Sequence, residues 1–199
     1  PFKAVAEPRR SEFPLALTTG RQRDHWHGMS RTGLLGRLFG HVAEPSVDLH
    51  PQDMARLGLG EGDLVKLTSK RGTLVLPARA SAQTGLAQAF VAMHWGAEYL
   101  SGRSSNGQAM GGINAITTSA FCPDSKQPEL KHAAVRVDKA ALPWTMLAMA
   151  WLSDDGAIRA RERLRQLLPA FDFALCVPFG RERAGVVFAW LGPVGAEPP

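Results

Sequence analysis

The apolar residues of this chain are gathered into short runs separated by glycine, proline and polar turns, and this spacing constrains the fold more than any other feature. Runs at 13–18, 46–49, 64–68, 73–76, 89–93 and 133–137 have strand length and end at turn residues. One short helix interrupts them: Pro51 suits a first helical turn, 52–57 continues it, and Gly58 stops it. Gly60-Glu61-Gly62-Asp63 is turn chemistry, and 64–68 and 73–76 flank Lys70-Arg71-Gly72 as an antiparallel hairpin. Residues 101–112 read as a flexible loop, too polar and glycine-rich to pack as an element. Many short strands with few helices predict a mainly β fold, a closed barrel rather than a sandwich or a parallel sheet.

From Thr145 the pattern changes. Ser153-Asp154-Asp155 is a helix start, with Ile158, Leu164, Leu167 and Leu168 as apolar positions and Arg159, Arg161, Arg163 and Arg165 as a solvated basic face. Stretches 171–177 and 186–191 then read as a strand pair. The expected organisation is a linker over 1–12, a β-barrel domain over 13–143, a small α+β module over 144–192 and a frayed tail over 193–199.

Charge and composition narrow the partners. Lys and Arg outnumber Asp and Glu by 23 to 18, for a formal charge of +5, which favours anionic ligands in general. Aromatic content of 8% with a single tyrosine, and no zinc-finger spacing, argue against nucleic acid. Apolar runs such as 146–152 and 173–177 are too short to span a bilayer and no signal pattern opens the sequence, so no membrane partner and a cytoplasmic location are expected. Cys122 and Cys176 stand far apart without a CxxC pair, so a disulfide framework or a cysteine-held cluster is not expected and Cys122 reads as a structural thiol.

The densest chemistry follows the first strand. Thr18-Thr19-Gly20-Arg21-Gln22-Arg23-Asp24-His25-Trp26-His27-Gly28, continuing through Ser30, Arg31 and Thr32, combines guanidinium groups, hydroxyls and an indole. Such a set suits phosphate oxygens and a stacked planar ring, and would serve equally as a solvated basic loop. His25 and His27, two apart, would share one side of an extended segment and could ligate zinc only with a third ligand from elsewhere, His41 or His50 being the near candidates. A second polar group comprises Asn114 and residues 124–131.

Taken in order, these pieces resemble the C-terminal domain of bacterial molybdopterin oxidoreductases over roughly 13–143. The resemblance is carried by 17–33, by Glu44-Pro45-Ser46-Val47-Asp48-Leu49-His50-Pro51-Gln52-Asp53, by Met93-His94-Trp95-Gly96, and by 114–131 with Ser125-Lys126-Gln127-Pro128. His-Trp-His followed by Ser-Arg-Thr-Gly, and His-Trp-Gly followed by Ser-Lys-Gln-Pro, are most similar to assimilatory nitrate reductase catalytic subunits. The resemblance implies a double-psi β-barrel that closes over bis-molybdopterin guanine dinucleotide. It places cofactor contacts on Thr19, Gly20, Arg21, Gln22, Arg23, Asp24, His25, Trp26, His27, Gly28, Asn114 and Lys131. It also places the edge of the substrate funnel on Met93, where relatives often carry an aromatic residue, and puts Gly28 where a threonine or serine is usual.

The family keeps its iron–sulfur cysteines and molybdenum ligand in upstream domains, so this chain alone is expected to be inactive. Its partners would be those domains, the cofactor and an electron donor that the sequence does not identify. Two other readings remain open: the cofactor domain of a formate or formylmethanofuran dehydrogenase, and a stand-alone anion-binding or protein-interaction barrel.

Overall fold

The computed structural model describes residues 4–28, 42, 44–129, 131–179 and 185–191, with side chains described up to 177. Six strands form a closed ring: β1 (Leu15–Gly20), β2 (Val47–Leu49), β3 (Leu64–Thr68), β4 (Gly72–Ala80), β5 (Gln88–Ala92) and β8 (Ala133–Lys139). Around the ring the order is β2, β5, β1, β8, β3, β4, and β4 returns to pair with β2. Two pairs, β1–β5 and β2–β4, are parallel, and the others are antiparallel. This interlocked six-stranded closure is the double-psi barrel expected from the resemblance.

Alternation drives the closure. Along β1, Leu15, Leu17 and Thr19 are buried while Ala16, Thr18 and Gly20 are half-buried, the period of two expected of a strand with one face on a core. Val65, Leu67, Leu74, Leu76, Val91 and Val135 fill the same interior. The parallel seam between β2 and β4 is pinned by Asp48, which accepts from Arg79 Nε at 2.8 Å and Nη2 at 2.6 Å. Helix α1 (Pro51–Leu57) starts where the sequence places it. His50 caps it through Nδ1, which accepts from the Gln52 N–H, and Gly58 ends it at φ 66°, a left-handed conformation that glycine adopts without strain. Asp53, 1% exposed, accepts from the Ala87 N–H at 2.7 Å and from Arg56 at 2.7 Å, tying α1 to the approach of β5.

The expectation of a flexible loop over 101–112 is corrected. Residues Ser101–Ser104 (β6) and Ala109–Gly111 (β7) form a hairpin that extends the sheet from β4. Its glycines serve close packing: a Cβ on Gly102 would lie 2.3 Å from Leu74 Cδ2 and 2.8 Å from the Thr73 carbonyl oxygen, and one on Gly111 would lie 2.3 Å from Ala97 Cβ. The turn at Gly107, φ 82°, and the exit at Gly112, φ 79°, use glycine for its backbone freedom.

Beyond the barrel, β9 (Thr145–Trp151), β10 (Phe173–Phe179) and β11 (Gly185–Leu191) form a second antiparallel sheet in the order β10, β11, β9. Helix α2 (Asp154–Leu167) packs on it, with Ser153 capping through its hydroxyl, which accepts from the Gly156 N–H. The helical face differs from expectation. Leu164 and Leu168 pack inward as expected, but Ile158 and Leu167 are exposed while Ala157 is buried, and the Arg161 guanidinium sits 5.6 Å from the centre of the Tyr99 ring instead of facing solvent. The cationic side chain packs on an aromatic face that the linear sequence does not reveal. Phe173, Leu175 and Val177 join the barrel's core cluster, and the Cys176 N–H donates to the Tyr99 carbonyl. Among the described residues no helix is long and apolar enough to cross a membrane.

Candidate functional site

The parallel pairing of β1 with β5 assembles the site. Register sets Thr18 opposite Phe90, Thr19 opposite Val91 and Gly20 opposite Ala92, so both strands end together and release their loops at one end of the barrel. The Met93 N–H donates to the Gly20 carbonyl at 2.9 Å, carrying the alignment one residue further. A Cβ on Gly20 would lie 2.9 Å from the Phe90 ring, so the glycine lets the two exits lie close together.

His94 is the clamp between the loops, and it is completely buried. Its Nε2 lies 3.0 Å from the Gln22 backbone nitrogen, and its Nδ1 meets the His27 carbonyl. A backbone N–H can only donate and a carbonyl can only accept. Nε2 therefore holds the free lone pair and Nδ1 the proton, a neutral imidazole of fixed tautomer. Burial lowers the pKa of His94 below the ordinary histidine value, the direction that these contacts require.

Around this clamp the aromatic rings interlock. His25, 5% exposed, stands edge-on to His94 at 5.3 Å and to Trp95 at 5.9 Å, and Trp95 in turn meets Tyr99 at 5.9 Å. His25 is thus part of the wall. Trp26, 44% exposed, and His27 lie on the outside, edge to face at 4.7 Å. Arg21 places its guanidinium 5.8 Å from the Trp26 ring centre, with Nη2 3.4 Å from His27 Nε2. His27 takes a left-handed backbone conformation, φ 41°. The exposed surface of the loop consists of Arg21, Arg23, Trp26, His27 and Gly28, two guanidinium groups beside an indole. Arg23 pairs with Asp24 at 3.0 Å.

The remaining predicted residues take distinct places. Thr19, 6% exposed, shares the inward face of β1 with Leu15 and Leu17. Met93 is half-buried at the start of the second loop. Asn114 is exposed on a 3-10 turn (Ile113–Ile116) whose first N–H donates to the Trp95 carbonyl at 3.1 Å, so that turn docks on the His94 loop. Lys131 is exposed two residues before β8, which begins opposite Leu17, and so lies at the end of the barrel where β1 exits. Ser30, Arg31, Thr32 and His41 lie outside the described residues. The role of His94 is not legible in the sequence, because its two partners are 72 and 67 positions away. Its only signal is a histidine immediately after an apolar strand.

The exposed donors fit a large anionic ligand carrying a planar ring. Two further features agree with this: among the described residues, Gln22 Oε1 is a buried acceptor without a hydrogen-bond partner, and beyond the chain neighbours none of those residues comes within 4 Å of where a Cβ would sit on Gly28 or Gly96. The fold and this loop define a barrel that presents an edge of exposed guanidinium and indole groups at one end.

The chain belongs to the family described as the Molydopterin dinucleotide binding domain, which matches residues 15–134. It is 35% identical over 125 residues to a nitrate reductase of Klebsiella oxytoca, covering 63% of this chain and 14% of that protein. It is 38% identical over 144 residues to a nitrate reductase of Symbiobacterium thermophilum, covering 70% of this chain and 17% of that protein. The chain thus spans 14–17% of the length of these relatives. Among solved structures, acetylene hydratase from Pelobacter acetylenicus shares the fold with a TM-score of 0.54 at 17% identity, over 69% of this chain and 21% of that one. The family assignment makes the ligand a molybdopterin dinucleotide, in agreement with the anionic, ring-bearing chemistry of the loop.

Proposed function

We propose that this chain is the cofactor-closing domain of a molybdenum nitrate reductase of the assimilatory, cytoplasmic type, and that the residues around the His94 clamp hold bis-molybdopterin guanine dinucleotide. The observation that carries the reading is the exposed cationic and indole surface of 21–28, fixed to the barrel by His94, in a chain similar to two nitrate reductases. That similarity favours nitrate over formate as substrate.

Each residue has a task in this reading. Arg21 and Arg23 bind phosphate oxygens, since guanidinium groups can grip them with two parallel N–H donors. Trp26 offers its face to a planar ring, and Gln22 Oε1 accepts from an N–H of the ligand. Gly28 admits the ligand close to the backbone. Asn114 and Lys131, at the same end of the barrel, complete the set of donors, and Met93 borders the path of the substrate. Thr19, Gly20, Asp24, His25 and His27 shape the loop that presents them. When bound, the molybdenum cofactor supplies the redox chemistry that takes an oxygen atom from nitrate and leaves nitrite. This chain's part is to bind, orient and exclude water. Residues 13–143 act as the cofactor barrel and 144–192 as an appended module, and the remaining partners are the enzyme's other domains and an electron donor.

Calorimetric titration of the chain with extracted molybdopterin guanine dinucleotide tests the proposal. Binding that is lost in an Arg21→Ala, Arg23→Ala variant is expected. Equal binding by the variant refutes the assigned contacts.

A further inference from the structure

A second cationic cleft lies on the outer face of β8, β3, β4 and β6 and shares no residue with the loops at 19–28 and 93–96. Register creates it. Arg103 of β6 stands opposite Thr73 of β4, Thr73 opposite Thr68 of β3, and Thr68 opposite Arg136 of β8. Residues directly opposite on adjacent strands share a face, so one row crosses four strands in the order Arg, Thr, Thr, Arg. The row faces outward, because the neighbours Leu67, Leu74 and Val137 are buried in the barrel. With strands about 4.8 Å apart, the two arginine backbones stand about 14 Å from one another. Lys66, two residues before Thr68, projects from the same face, and Lys70 lies in the adjoining hairpin turn.

The row and these lysines line a cleft of about 570 Å³, the size of a small-ligand site. Close approach of the backbones builds its wall: a Cβ on Gly72 would lie 2.2 Å from the Arg103 carbonyl oxygen, so only glycine lets β6 press this close to β4. Both guanidinium groups are anchored through Nε, Arg103 to Asp172 at 3.0 Å and Arg136 to Asp138 at 2.7 Å. Their terminal nitrogens have no acceptor among the described residues. Neither Lys66 nor Lys70 has a carboxylate partner among them, although Glu12 borders the cleft. At the centre of the row, Thr68 Oγ1 is buried without a hydrogen-bond partner among the described residues. Anchored guanidinium groups, two lysines without a direct carboxylate contact and an unused hydroxyl at the floor describe an anion site with several contact points, although Glu7 lies within electrostatic reach of Lys70.

We propose that this cleft binds a small polyanion of the oligophosphate class, independently of the dinucleotide loop. The test titrates the 199-residue chain with inorganic pyrophosphate at low salt, followed by calorimetry and by amide shifts in NMR. Shifts at 66–73, 103–105 and 136 are expected, with the affinity read from those shifts reduced at least ~10-fold in K66E/K70E. Thr68→Val, which alters no charge, is expected to weaken binding ~3-fold or more by removing the central hydroxyl. ADP run in parallel identifies the source: tighter binding than pyrophosphate assigns a nucleotide, and equal or weaker binding a free oligophosphate. No binding at about 10 mM pyrophosphate, equal affinity in K66E/K70E, or shifts confined to 19–28 would overturn the proposal.

Discussion

Replacing His94 by alanine removes two hydrogen bonds that hold the 21–28 loop to the strand-end loop beneath it. The Gln22 N–H loses its acceptor at 3.0 Å and the His27 carbonyl loses its donor. A buried polar group left unpaired costs about 1–3 kcal/mol. His27 is exposed, so water can rescue its carbonyl, and most of the loss falls on Gln22 and on the edge contacts of His94 with His25. The sum is a destabilisation of about 2–4 kcal/mol. Two variants divide it. In His94→Gln the side-chain amide oxygen reaches the place of Nε2 and keeps the acceptor for Gln22, whereas in His94→Asn the amide nitrogen replaces Nδ1 and keeps the donor to His27. The Asn variant is expected to be the weaker of the two, because the more buried partner loses its bond. Urea denaturation read by tryptophan fluorescence gives the energies, and amide exchange localises them. Exchange at Gln22 should accelerate while exchange in β3 holds. A His94→Ala variant within about 0.5 kcal/mol of wild type, with Gln22 exchange unchanged, refutes the clamp.

The same contacts set a pH dependence. His94 is held below the ordinary histidine pKa chiefly by burial, so its contribution is complete above about pH 6.5 and is lost as pH falls through the folded value. Amide exchange at Gln22 should rise, relative to the core, on acidification through that range in wild type but not in His94→Gln; parallel behaviour would contradict the tautomer assignment. Gly102→Ala should destabilise by about 2 kcal/mol or more, because its Cβ would meet Leu74 Cδ2 at 2.3 Å, and a urea midpoint equal to wild type would show the β6–β7 hairpin to be loosely packed. Arg71 donates to Glu7 at 2.7 and 2.8 Å and to the Ile116 carbonyl at 3.3 Å, so Arg71→Ala should cost about 1–3 kcal/mol, measured by the same melt, and a smaller change would mean that the 4–12 segment is not anchored there. Burial pushes the Cys176 thiol up to about 11, so at pH 8 a disulfide reagent should label Cys122 and spare Cys176 in the folded chain; rapid labelling of both would contradict the packing of β10.

What the sequence made legible follows the range of each interaction. The strands with clean alternation or apolar runs, such as those at 15–20, 64–68 and 133–139, announce themselves locally, as do the Pro51 start and Gly58 stop of α1. The β6–β7 hairpin did not, because glycine at 102 and 111 looks the same in sequence whether it gives freedom or close packing. Strand β9 was hidden for another reason: Thr-Met-Leu-Ala-Met-Ala-Trp lacks the alternation that marks a strand and has no β-branched residue after Thr145, and its pairing with β11 holds it extended. At the site, the donors of 21–28 stood out by composition. The clamp did not, since it depends on Gly20 and Ala92 ending side by side across 72 positions of sequence. The outer row of Arg103, Thr73, Thr68 and Arg136 is likewise a product of register alone.

The most direct test of the central claim is the molybdenum and guanine dinucleotide content of the purified native enzyme that carries this domain, compared with its Arg21→Ala, Arg23→Ala counterpart. The account predicts a stoichiometric complement in the wild type and a marked loss of both in the variant, with the barrel's fold intact by circular dichroism. Full cofactor content in the variant would contradict the claim that this loop holds the dinucleotide.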